Sequence, residues 1–317
     1  VAVFGPMAND PHEQLGTWAF DRNLNDTVTP LKALREFAGD RIQVDYLPVL
    51  DISRSTDTAE FRKAARLASE ADAVLLFMGE EAIITGEAHC RADISLPGAQ
   101  EALIHELSGV STPIVLTVMA GRPLTLEPVL DKVDSLLFSF HPGTMGGPAL
   151  IDIIFGRESP SGKLPVTFPK AVGQVPLYYS HKRTGRPAVK EHFTHINDIP
   201  VRAVQNSLGN ESHYIDAGYE PRFVFGFGLS YTAFTYSDLT ISPDRMAPGG
   251  EVTVSALIAN TGSRDGEEVV QLYISDVTAS VTRPVKQLKG FKRIRLAAAE
   301  SKRAVFVLGP QDLAFPN

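Results

Sequence analysis

The chain has 317 residues, of which 44% are hydrophobic and 21% are charged, as is typical of a protein with a packed core. This length exceeds what one ordinary core holds, so we expect two domains. The formal net charge of -7 excludes a general nucleic-acid-binding protein, which would carry a basic surplus. No apolar run approaches the roughly 20 residues that cross a bilayer. The single cysteine, Cys90, excludes an internal disulfide framework and a cysteine-rich metal site.

The first 170 residues alternate between short apolar, β-branched segments and segments with a helical period. The apolar segments predict five strands, at 1–4, 42–47, 73–78, 114–119 and 135–140. The helical segments lie at 29–37, 58–69, 99–107 and 149–155. The second helix is predicted to begin with a capping box of Asp57 and Glu60. Because parallel strands need crossover connections, this alternation predicts a doubly wound, mostly parallel α/β sandwich.

The carboxyl ends of the predicted strands indicate where a ligand would bind, since ligands gather at that edge of open α/β sheets. Each of four strands ends at a glycine or proline turn, namely at Gly5, Gly79, Gly121 and Pro142. The segment 85–97, TGEAHCRADISLP, follows the third strand and belongs to the same edge. We therefore expect the functional site on these loops.

The second half of the chain differs from the first in composition and in the period of its apolar residues. From about residue 156 it is rich in proline and glycine without a helical period, which predicts an extended arm. From about residue 236, apolar and polar residues alternate with the period of a strand. We expect an α/β domain at 1–235, including the arm, and a fibronectin III-like β-sandwich at 236–317. Such sandwiches need about seven strands in roughly 100 residues, so this one is expected to be cut short.

Acidic residues cluster on the predicted ligand edge. The cluster consists of Glu80, Glu81, Glu87 and Asp93. By residue type alone, an ordinary acidic surface loop is the more frequent explanation. The position at a strand end and the neighbours His89 and Arg91, which can orient or tune a carboxylate, favour a catalytic acid. Glycosyl transfer normally uses two carboxylates, and no second one stands out as a nucleophile.

Trp18, the only tryptophan, follows the first strand on the same edge. Two interpretations stay open, a partly buried packing residue and a platform on which a sugar ring stacks. The histidines of the arm lack the spacing of a metal site, and no complete phosphate-binding glycine motif occurs. We therefore expect neither a metal nor a cofactor.

Seven segments occur in an order that resembles the C-terminal half of glycoside hydrolase family 3, closest to the bacterial periplasmic β-glucosidase type. They include VAVFGPMAND, GEEAIITGEAHCRADISLPGAQEAL, PIVLTVMAGRPL, HPGTMGGPALIDIIFGRESPSGKLPVTFP, GQVPLYYSHKRTGRP, FGFGLSYTAF and ASVTRPVKQLKGF. One departure is Met145, where the family usually has a polar residue before Gly-Gly. That departure puts a sugar contact at this position in doubt, but not the fold.

The resemblance implies a protein of three parts: an N-terminal (β/α)8 barrel, the α/β sandwich and the fibronectin III-like domain. The barrel, which carries the nucleophilic aspartate in the family, is not in this chain, so the chain alone is expected to be inactive. Glu87 takes the place of the general acid/base, and Trp18 and Arg91 are the expected substrate contacts. Because a cation beside Glu87 would oppose its protonation, we expect Arg91 to point elsewhere or to pair with Asp93.

The implied activity is that of a retaining, exo-acting β-glucosidase that releases terminal β-linked glucosyl residues. A non-catalytic carbohydrate-binding or accessory fragment remains an alternative, as does a β-xylosidase or a xyloglucan-oligosaccharide-specific member of the family. The expected partners are a β-glucoside or oligosaccharide substrate, the barrel domain and a second copy in a homodimer. Nucleic acid and membrane are not expected partners, and the expected location is periplasmic or secreted.

Overall fold

The computed structural model describes residues 1–205 and 210–315, and the chain divides into two compact units. The first unit comprises Val1–Arg157 and Pro169–Val175, and the second comprises Glu158–Phe168 and Pro176–Asn317. The proline- and glycine-rich segment therefore contributes to both units. The domain boundary expected at residue 235 stays a prediction.

The first unit is built on a parallel sheet of five strands in the order β2-β1-β3-β4-β5. The strands are β1 (Ala2–Phe4), β2 (Asp45–Tyr46), β3 (Val74–Gly79), β4 (Ile114–Met119) and β5 (Ser135–Phe138). The predicted parallel α/β sheet is thus confirmed. Strand β2 has only 2 residues, fewer than predicted, because it pairs with the short edge of β1 alone.

Three helices connect successive strands, α1 (Pro30–Ala38), α2 (Phe61–Ser69) and α3 (Gln100–Leu107), and a fourth, α4 (Gly146–Ile154), follows β5. The predicted capping box of α2 is wrong. The N-cap residue is Glu60, whose side chain makes no capping hydrogen bond and instead pairs with Lys63 at 2.8 Å. Asp57 accepts a hydrogen bond from the backbone N–H of Ala59 at 2.9 Å, so it caps a local turn before the helix.

Hydrophobic residues cover both faces of the sheet. On β3, Leu76 and Met78 belong to one buried cluster together with residues of α2 and α3. Leu75 and Phe77 alternate with them and belong to the other cluster, with residues of α1 and α4. Because each face is covered, all six residues of β3 are buried, which explains its continuous apolar sequence. The strand order reverses between the neighbouring strands β1 and β3, so the loops that follow them flank the topological switch point, where such folds bind ligands.

The second unit contains antiparallel strands in two sheets, with the orders β10-β7-β6 and β8-β9. The strands are β6 (Phe234–Ser242), β7 (Val252–Asn260), β8 (Gly266–Ile274), β9 (Gln287–Leu296) and β10 (Ser301–Leu308), and α5 (Pro310–Leu313) follows them. A small buried cluster, which includes Ile258 and Val270, contains residues of both sheets. The architecture is that of a β-sandwich, and the predicted antiparallel domain is confirmed.

Aromatic residues around glycines pack the segment that precedes β6. Phe223 stacks on Phe227 with ring centroids 5.2 Å apart, and Phe225 stacks on Tyr179 at 4.3 Å. Gly226 has φ 82°, in the region that favours glycine. These stacked rings pack the segment against its own neighbours. Within the described residues, no helix has the length and apolar character needed to cross a bilayer.

Candidate functional site

The loops that leave β1 and β3 touch each other at the switch point. A Cβ built on Gly86 would lie 3.3 Å from Thr17 Oγ1, so the two loops are in contact there. Trp18 and Glu87 are the next residues along each loop. The structure therefore brings two of the predicted site residues to neighbouring positions.

Glu87 lies at the tip of a tight turn. The N–H of Gly86 donates to Ile83 O at 3.1 Å, and the N–H of His89 donates to Gly86 O at 3.1 Å. Ala88 has φ 62°, a left-handed conformation that costs an alanine roughly 1–2 kcal/mol. The side chain of Glu87 is exposed, and among the residues described it has no hydrogen bond or ion pair.

Glu80, directly after β3, has the opposite environment. Its carboxylate is fully buried and pairs with Arg91 at 2.6 Å and with Arg122 at 3.2 Å. Arg91 thus pairs with Glu80 and not with Asp93. Asp93 accepts from the N–H of Ser95 at 2.9 Å, and its pKa is lowered first by that bond and further by the Ser95 side chain and the charge of Arg91.

Glu81 is also committed to structural contacts. Arg54 pairs with both of its carboxylate oxygens, at 2.8 and 3.0 Å, and Ser53 donates to it at 2.7 Å. The hydrogen bonds from Arg54 are the main cause of its lowered pKa. Of the four clustered carboxylates, Glu87 is therefore the one whose side chain has no partner among the described residues.

Trp18 is 60% exposed and makes an edge contact with Phe20, with ring centroids 6.1 Å apart. Arg22 fixes the turn that contains Trp18 by donating to the carbonyls of Gly16 at 3.3 Å and Ala19 at 3.4 Å, one on each side of the tryptophan. An exposed ring on a fixed turn is what a stacking platform requires. The assignment of Trp18 as a sugar contact stays a prediction.

His141 and Glu13 complete the contacts between these loops, and the sequence analysis did not single out either residue. His141 Nδ1–H donates to the carbonyl of Glu13 at 3.1 Å, and burial lowers the pKa of the ring. The carboxylate of Glu13 accepts from the N–H of Ala82, at the start of the Glu87 loop. The one available signal for His141 is its position directly after the end of the predicted strand at 135–140.

A groove of about 500 Å³ runs along the loop that follows Glu87. Its lining includes Arg54, His89, Cys90, Arg91 and Asp93. Among the described parts of the chain, no group of three or more His, Cys, Asp or Glu residues could hold a metal ion. The polar groups available to a ligand here are guanidinium, imidazole and carboxylate groups, which suit a hydroxyl-rich molecule.

Two family patterns match the sequence. The glycosyl hydrolase family 3 C-terminal domain matches residues 1–231, and the fibronectin type III-like domain matches residues 268–317. The periplasmic beta-glucosidase of Salmonella typhimurium is 37% identical over 336 aligned positions, which cover 100% of this chain and 42% of that protein. A beta-xylosidase of Formosa agariphila is 34% identical and is covered to 41%.

Solved structures agree with these matches. The beta-glucosidase from Listeria innocua in complex with isofagomine has a TM-score of 0.86 and 34% identity, and the match covers 100% of this chain and 41% of that one. A mutant of that enzyme in complex with laminaribiose gives the same TM-score of 0.86. The chain thus spans less than half the length of these relatives, and the part described here holds no eight-stranded barrel. The chain belongs to glycoside hydrolase family 3 and corresponds to the C-terminal half of its members.

Proposed function

We propose that this chain is the acid/base-carrying part of a retaining, exo-acting β-glycosidase, with Glu87 as the general acid/base. The observation that carries the proposal is that Glu87 is exposed at the switch point with no side-chain partner among the described residues, while Glu80 and Glu81 are paired with arginines. An acid/base must be free to approach a leaving oxygen, which an arginine-paired carboxylate is not.

The reaction needs a second carboxylate, about 5–5.5 Å from the first in retaining enzymes. We assign that role to an aspartate of the family's barrel domain, which therefore is the first partner of this chain. The aspartate attacks the anomeric carbon while Glu87 protonates the departing glycosidic oxygen. Glu87 then takes a proton from water, whose oxygen displaces the aspartate and releases the sugar. By this mechanism the chain alone is inactive.

Trp18 and Arg91 are the proposed substrate contacts. The exposed ring of Trp18 offers an apolar face to a pyranose. Arg91 lines the groove along the loop that follows Glu87. Its guanidinium binds Glu80 through Nη1. The remaining N–H groups of its guanidinium are suited to hydroxyl oxygens.

A terminal β-linked glucosyl residue is the proposed substrate, supported by the beta-glucosidase names of the relatives and by the laminaribiose bound to one of them. A β-xyloside is the second candidate, supported by the beta-xylosidase that matches the whole chain at 34% identity. Xyloglucan oligosaccharides are a third. A periplasmic or secreted location accompanies the proposal, in line with the periplasmic relative, and a homodimer is its proposed assembly.

The decisive experiment replaces Glu87 by alanine in the full-length gene product. Substrates with poor leaving groups should lose roughly 100- to 10,000-fold in kcat/KM, the share that general acid catalysis supplies, whereas activated aryl glycosides should lose far less. Glu106→Ala is the control, because Glu106 is an exposed glutamate on α3. Equal losses on both substrate types would reject the assignment and favour the accessory-fragment alternative.

A further inference from the structure

Glu80 carries a buried charge, and its neighbours hold its backbone in a fixed position. Its side chain has 0% exposure, which is costly for a carboxylate unless it is paired. Gly79, just before it, has φ 148°, and a Cβ there would lie 1.8 Å from Met119 O. The N–H of Glu80 donates to the same carbonyl at 2.9 Å. The backbone therefore holds Glu80 in place at the end of β3.

Two arginines from different loops meet on this carboxylate. Arg91 Nη1 donates to Glu80 Oε1 at 2.6 Å, and Arg122 Nε donates to Glu80 Oε2 at 3.2 Å. Their side chains are only 19% and 20% exposed, so both charges depend on Glu80 for compensation. Arg91 follows Glu87 on its loop, and Arg122 follows β4.

Arg122 also donates hydrogen bonds to the Glu87 loop itself. Its Nη2 donates to the carbonyl of Ile84 and to the carbonyl of His89 at 3.0 Å. These carbonyls lie on either side of Glu87 along the chain, so one guanidinium spans the base of the turn. The planar fork of an arginine can serve three acceptors at once, which an ammonium on a flexible stem cannot do in the same geometry.

We infer that Glu80 is the positioning residue of this site: through Arg122 and Arg91 it holds the loop that presents Glu87. This inference rests on the proposed function, which gives Glu87 its role. The loop needs such a brace because Ala88 has a left-handed backbone that residues other than glycine avoid. Without the brace the turn relaxes and Glu87 moves, and a displacement of about 1 Å costs roughly 100-fold in rate.

Glu80→Gln tests the inference, with Glu81→Gln as a matched control, both made in the full-length protein. Glu81 is the next residue and is also buried and paired with an arginine, but its side-chain partners Arg54 and Ser53 lie outside the Glu87 loop. The first readout is hydrogen exchange at the amides of Gly86 and His89. We expect roughly tenfold faster exchange in E80Q and no change in E81Q. Equal exchange in the two variants overturns the inference.

The second readout is catalytic. E80Q should lose roughly 10- to 100-fold more on poor leaving groups than on activated aryl glycosides, whereas E81Q should lose equally on both. Uniform losses in E80Q, despite a loosened loop, overturn the catalytic part of the inference. Failure of the proposed function is recognised separately, because Glu87→Ala would then show no dependence on the leaving group while the exchange result is unaffected.

Arg122→Lys keeps the inference testable if E80Q does not fold. A lysine retains a cation beside Glu80 but cannot also reach the carbonyls of Ile84 and His89. We expect the melting temperature to stay within a few degrees of wild type, with faster exchange at Gly86 and His89 and the same leaving-group dependence. A variant that behaves as wild type in both readouts overturns the inference.

Discussion

Thr17 and Gly86 join the two loops of the candidate site, since Thr17 Oγ1 lies 3.3 Å from where a Cβ on Gly86 would stand. The same Cβ would lie 3.1 Å from Ile83 O. Gly86 has φ -71° and ψ 178°, an extended backbone that any residue adopts, so only the contacts limit this position. The distance between the Trp18 and Glu87 loops therefore depends on the absence of a side chain at residue 86.

Gly86→Ala should lower the activity of the enzyme with little effect on its stability. The added methyl pushes the two loops apart, so kcat/KM of the full-length enzyme should fall about tenfold, while the free energy of unfolding changes by less than about 1 kcal/mol. Gly173→Ala is the control, because a Cβ at Gly173 meets nothing within 4 Å. Steady-state kinetics and denaturant unfolding check both values, and unchanged kinetics would contradict the contact.

Gly79→Ala should damage the fold itself. The added Cβ would lie 1.8 Å from Met119 O, and the φ of 148° is strained for alanine. We expect a loss of about 3 kcal/mol or more in the free energy of unfolding, measured by urea denaturation of the purified protein. A cost no larger than that of Gly173→Ala would show that the end of β3 can move freely.

Glu101→Gln should stabilise the protein in a pH-dependent way. Burial is the main cause that raises the pKa of Glu101, and its Oε1 has no hydrogen-bond partner in the described parts of the chain. A carboxyl with a raised folded pKa costs stability once it is ionised, so the wild type loses stability as pH rises from the unfolded value of about 4.3. The advantage of the glutamine variant, up to about 0.5 kcal/mol, should therefore be absent near pH 4 and constant above the folded pKa.

Thermal unfolding from pH 4 to 8 measures this difference. Glu106→Gln is the control on the same helix, because Glu106 is exposed and its replacement should give no pH-dependent difference. An advantage of Glu101→Gln that is largest at low pH would contradict the assigned direction.

Trp18→Ala should weaken substrate binding without weakening the fold. Stacking on an aromatic ring is worth about 0.5–1.5 kcal/mol beyond area burial, which corresponds to a rise in KM of roughly two- to tenfold. Trp18→Phe should restore part of the loss. Val172→Ala, at another exposed apolar residue of the first unit, serves as the control. An unchanged KM in Trp18→Ala would remove Trp18 from the proposed substrate contacts.

The sequence predicts the parallel sheet and its helices well, because both faces of the sheet are covered and the central strands β3 and β4 are nearly continuous apolar runs. It predicts helix ends less well: Glu60 has the residue type of a capping box, but its side chain pairs with Lys63. Residue type alone does not distinguish the carboxylates that make structural ion pairs from the one that is proposed to be catalytic. Arg122, which compensates Glu80, lies 42 residues away, and only the fold brings the two together. Glu87 was identified by the resemblance to its family.

The contact between His141 and Glu13 is a second one that the local sequence does not predict. These residues are 128 positions apart, and nothing in their local sequence indicates that they meet. The topology brings them together, because the loops after β1 and β5 both begin at the carboxyl edge of the sheet. Sequence patterns locate that edge, but they do not tell which side chains are buried there.

The central claim, that Glu87 is the acid/base of a retaining enzyme, is tested most directly by the product that Glu87→Ala forms from an activated aryl β-glycoside and azide, since such a leaving group departs without acid assistance. Azide needs no general base, so it should take the place of water in the second step and form its bond to the anomeric carbon as the bond to the barrel aspartate breaks. Two successive displacements retain configuration, and NMR of the product should therefore show the β-glycosyl azide with a restored rate. An α-glycosyl azide would mean that Glu87 is the nucleophile, and no azide product at all would mean that it is neither.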